Sequence, residues 1–83
     1  MKLHEIKLQI AQITGLTVLD ADNGVSVLVT GDQPERVKPT IASLKAADIP
    51  FNKKRNNKFK GALIIIPLVN VGTVWNADWE YAS

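Results

Sequence analysis

The chain has 83 residues, 46% apolar and 22% charged, which suits one folded domain (residues 1–83) and leaves no room for a second core. It contains no cysteine, which excludes disulfides and thiolate metal sites and fits a reducing compartment. The net charge is +2, yet Lys53, Lys54, Arg55, Lys58 and Lys60 place +5 within eight residues and leave −3 on the rest of the chain.

Leu3, Ile6, Ile10 and Ile13 recur at three and four residues, which predicts a helix with one apolar stripe ending near Gly15. Lys2, Glu5 and Gln9 fall on its other side. The opening residues, Met1 to Lys7, scatter charge through the segment, unlike a signal peptide. The longest apolar run, Ala62 to Val69, is far shorter than the roughly 20 residues that span a bilayer. Both features predict a protein of the cytoplasm, its own or that of a host cell, with no membrane contact.

Leu16–Leu19 and Val25–Val29 are β-rich runs flanking Asp22-Asn23-Gly24, which predicts a hairpin closed by a type I′ turn. Val25, Val27 and Val29 share the face expected to meet the helices. Asp32 and Glu35 have the spacing of a capping box, opening a second helix through Ala47 with Val37, Ile41 and Leu44 on one face. Pro39 is awkward in a helix interior, so the alternatives are a kink or a start near Lys38.

Phe51 to Pro67 predicts a second hairpin, with Asn56-Asn57 as its two-residue turn. Its outgoing strand, Ala62–Ile66, is apolar on both faces and therefore expected at the centre of a sheet. Residues 69–81 add a last strand or a short helix. The fold class is α+β, a two-layer sandwich of two helices on a mainly antiparallel sheet, in the order α-β-β-α-β-β with a short C-terminal element.

No Asp or Glu occurs from Ile49 to Ala77, so the basic hairpin generates an undiluted local field. Lys53, Lys54, Arg55, Lys58 and Lys60 have the chemistry to neutralise phosphates, and Asn56 and Asn57 to hydrogen-bond sugar or phosphate, on an arm projecting into solvent. Where base stacking would need aromatics, the strand after Lys60 holds Ala, Ile and Pro, so the contact expected is with the backbone of DNA or RNA, with low sequence specificity. Other readings of the same block are an anchor for an acidic protein surface and a charged guard that keeps a hydrophobic strand soluble.

Trp75, Trp79 and Tyr81 alternate, and on one strand face they would form a stacking platform, a protein-interface hot spot or a lid on the core. Asp78 and Glu80 flank them and favour protein over phosphate. For catalysis the inventory is thin: His4 is the single histidine, and no His–carboxylate spacing suggests a metal site. Asp20 to Asn23 starts like a calcium loop, but Val25 and Gly31 stand where that loop needs Gly and Glu. The expectation is a non-enzyme without metal or cofactor: a binding module whose basic hairpin (residues 52–60) contacts a nucleic-acid backbone. The alternative is a small phage-type accessory protein that inhibits or adapts a host complex through the hairpin and the aromatic cluster. A homodimer formed by pairing sheet edges is a third possibility.

Overall fold

The computed structural model describes residues 1–22, 24–56 and 61–82, with Arg55 and Asn56 described by their backbone alone. The first apolar stripe forms helix α1, Leu3–Thr14. Gly15 ends it in the left-handed region (φ 70°), and its N–H bonds the Ala11 carbonyl at 2.8 Å. Strands β1 (Val18–Ala21) and β2 (Gly24–Val29) form the expected antiparallel hairpin, with Ala21 opposite Gly24. The expected turn falls partly on Asn23, which lies outside the described residues.

The second helix follows the alternative of a late start, beginning at Val37, next to Lys38, and without the expected capping box. A short 3-10 turn, Pro34–Arg36, leads into α2, Val37–Ala46, and neither has a side-chain cap. The residue before the 3-10 turn is Gln33, so Asp32 is not the cap that the Asp32–Glu35 spacing suggests, and the Thr30 hydroxyl holds the Asp32 carboxyl below its usual value. Because the helix begins only at Val37, Pro39 falls in its first turn, where an amide N–H has no intrahelical acceptor to lose.

The long strand β4, Gly61–Asn70, runs between β2 on one side and β3, Asn52–Asn56, on the other. The sheet order is β1-β2-β4-β3, all antiparallel, and the C-terminal element is a strand, β5 (Trp79–Tyr81), paired with Leu68–Asn70 of β4. Carbonyls alternate along a strand. The Ile66 carbonyl points at Gly24 of β2, whereas the Pro67 carbonyl accepts from the Ala82 N–H, so β5 follows β3 along the same flank of β4.

Ile6 and Ile10 of α1, Leu44 of α2, Val25, Val27 and Val29 of β2, and Ile64 and Ile66 of β4 form one core in which none is more than 1% exposed. Both helices therefore cover the same sheet face, giving the two-layer α+β sandwich. Among the described residues, the other face, carrying Leu19, Leu28, Leu63, Ile65 and Pro67, has no α-helix packed over it, and only Gln33 and Arg36, at the 3-10 turn, border Leu19 and Leu28 at one corner. Among the described residues, no helix is long and apolar enough to cross a membrane.

Candidate functional site

β3 has β4 on one side and no described strand on the other, so Lys53 and Lys54 lie on an open sheet edge, and both are exposed. Register sends them to opposite faces. Lys53 is opposite Ile64, whose side chain lies in the core, and Lys54 is opposite Leu63 on the uncovered face. Arg55 and Asn56 continue the strand opposite Ala62 and Gly61. Asn57, Lys58 and Lys60 lie outside the described residues.

Two expectations about this hairpin need correction. Asn56 is not a turn residue: it closes β3 opposite Gly61, and Asn57, the other half of the expected turn, lies outside the described residues. Nor do Lys53, Lys54 and Arg55 stand on a projecting arm. Ala62 and Ile64, which they flank, pair on their other side with Val29 and Val27 of β2. Burying Ala62 and Ile64 under the helices draws the base of the hairpin into the sheet, and these three positions become a basic edge.

The opposite edge is acidic. β1 and its turn carry Asp20 and Asp22, both exposed, and Lys7 of α1 reaches Asp20 at 2.5 Å. The two residues border a groove of about 370 Å³ that is otherwise lined by Leu3, Ala21, Gly24, Leu68 and Trp79. Among the described residues, no three His, Asp or Glu side chains come together as metal ligands would. His4 is exposed in the first turn of α1.

The three aromatics do not share one surface. Trp79 and Tyr81 lie in β5, half-buried and packed against the core, and the Tyr81 hydroxyl donates to Gln9 Oε1 at 2.7 Å. Burial pushes the Tyr81 phenol above its usual 10.0. For these two the lid reading fits. Trp75 lies outside β5 in the preceding loop and is 93% exposed, beside Val74 at 90%. The loop is built, not loose: Asn70 Oδ1 accepts from the N–H groups of Gly72 and Asp78, and Thr73 Oγ1 accepts from that of Asn76.

The N-terminus is tied to the same end. The Met1 ammonium reaches the Asp78 carboxylate and the Trp79 carbonyl, and holds the Asp78 carboxyl below the usual carboxylate value. The feature that sequence reasoning missed is the uncovered apolar face. Its signal was the doubly apolar pattern of β4, which marks a central strand but does not say that only one face is covered.

No protein-family model matches the chain, and neither a curated protein nor a solved structure matches it.

Proposed function

We propose that the protein is a non-catalytic binding module that holds a nucleic-acid backbone along the basic edge of its sheet. The observation that supports this is the open edge itself: neighbouring lysines, Lys53 and Lys54, exposed toward opposite faces in a stretch without carboxylates, on a chain that is otherwise net negative. Consecutive cations on an open edge suit a phosphate chain, which needs positive charge and no shaped pocket. Lys58 and Lys60 extend the same basic segment in sequence.

Fluorescence-anisotropy titration of DNA and RNA, single-stranded and duplex, at several salt concentrations tests this. If each of the five cations neutralises one phosphate, the slope of log K against log salt approaches about −4 to −5 on duplex DNA. The variant Lys53→Gln/Lys54→Gln/Arg55→Gln should lose most of that binding. Binding that is indifferent to salt, or absent from all four nucleic acids, rejects the reading.

One observation favours the second reading, a docking protein that inhibits or adapts a host complex: Trp75, nearly fully exposed on a hydrogen-bonded loop, is placed as a protein anchor would be. Trp75→Ala separates the two. Nucleic-acid affinity should be unchanged on the first reading, and partner capture should be lost on the second.

A further inference from the structure

The uncovered sheet face carries an apolar stripe along the odd positions of β4: Leu63, Ile65, Pro67 and Val69. Leu19 and Leu28 widen it on the side of β1 and β2. Two charges sit on its other flank, one near each end. Lys54 is opposite Leu63, and Glu80 is opposite Val69. Because β3 and β5 follow one another along the same side of β4, Lys54 and Glu80 line one flank of the stripe, roughly 20 Å apart at ~3.3 Å per residue.

We infer that this face binds a second copy of the chain, the two sheets stacking face to face about a two-fold axis that crosses β4 near Ile66. Such an axis reverses strand direction and preserves the flank. It sets Leu63 over Val69 of the second copy, Ile65 over Pro67 and Leu19 over Ala21. It also sets Lys54 over Glu80 of the second copy, and Glu80 over Lys54. The surface is thus self-complementary in charge under the one operation that an isologous dimer requires. Stacked sheets are skewed by about 30°, and the long lysine side chain spans the resulting offset.

The same geometry argues against pairing through the two β3 edges. Joining two β3 edges would bring Lys53 and Lys54 of each copy together, and charged edges oppose such pairing. The face measures roughly 19 Å across four strands by ~30 Å along β4. That is below the ~800 Å² per partner of a standard interface, so the dimer is a weak one.

Sedimentation equilibrium on the full chain, without nucleic acid and at low salt, tests the proposal independently of the basic edge's role. The expected result is a reversible dimer with a dissociation constant of about 1 mM or less. Ile65→Lys should leave a folded monomer, with folding checked by circular dichroism. Lys54→Glu and Glu80→Lys should each weaken the dimer about three- to tenfold, as like charges then face each other at both pairs. Combining the two reversals restores opposite charges and should return the affinity to within about twofold of the original, which keeps the test decisive even where Ile65→Lys fails to fold. A monomer at every concentration, a dimer that persists in folded Ile65→Lys, or single reversals without effect would overturn the proposal.

Discussion

Asp48 is the one non-glycine residue among those described with positive φ, at 61°. It stands just past α2, where the Asp48 N–H bonds the Lys45 carbonyl and the Ile49 N–H bonds the Leu44 carbonyl, at 3.1 and 3.0 Å. This pair of bonds is the Schellman closure, and Ile49 and Leu44 share the core as its accompanying apolar contact. A side chain in the left-handed region costs about 1 kcal/mol, less for Asp than for most residues. Asp48→Gly should therefore stabilise the protein by about 0.5–1 kcal/mol in urea unfolding. Asp78 makes a pH-dependent contribution of known sign. The Met1 ammonium lowers its folded-state value below 3.8, so the contact stabilises above that pH and is lost as pH falls through the lowered value. The melting temperatures of the wild type and Asp78→Asn should differ near neutrality and converge in strong acid.

At the scale of elements, β4 decides most of the architecture. Its even residues, Ala62, Ile64, Ile66 and Leu68, are buried under the helices, while its odd residues line the uncovered face. Ile64→Ala should cost about 2–5 kcal/mol, because the cavity opens in the middle of the core. Gly61 matters for a different reason. A Cβ there would strike the Val29 carbonyl oxygen and lie 3.1 Å from the Thr30 carbonyl carbon, both of them backbone. Gly61→Ala should destabilise by about 1–3 kcal/mol, since β2 has little room to yield. Neutralising Lys53 and Lys54 on the edge should change stability by less than about 0.5 kcal/mol. Chemical denaturation of the three variants would show that ordering.

For the whole molecule, the sheet is polarised from edge to edge, with Asp20 and Asp22 at β1 and the lysines at β3. Two-fold stacking of the uncovered faces preserves the flank, so both basic edges would lie on one side of the dimer and both acidic edges on the other. Combined with the proposed nucleic-acid contact, this has a measurable consequence. The salt slope of the wild type should be steeper at concentrations where it is dimeric than where it is monomeric, because one phosphate chain can then meet the Lys53 and Arg55 positions of two rims. Equal slopes would mean that each chain binds alone. The C-terminal loop lies apart from this polarity. Trp75→Ala should leave the melting temperature nearly unchanged, since a side chain 93% exposed has little packing to lose.

The amino-acid sequence by itself determined the helix stripe of Leu3, Ile6, Ile10 and Ile13, the first hairpin, the buried face of Val25, Val27 and Val29, and the centrality of β4. These follow from local periodicity and turn chemistry, which operate within a few residues. It also determined where the positive charge concentrates. The start of α2 was less legible, because the capping-box spacing of Asp32 and Glu35 pointed to one start and Pro39 to a later one, and the later one is observed. Only the tertiary structure decided that Lys53 and Lys54 form an edge, because that depends on β2 pairing with the same residues of β4. It alone separated Trp75 from Trp79 and Tyr81, by starting β5 at Trp79. It alone left one apolar face uncovered, and joined Lys54 and Glu80 along one flank of it. Each of these depends on which strand lies beside which, a long-range choice that no window of neighbouring residues encodes.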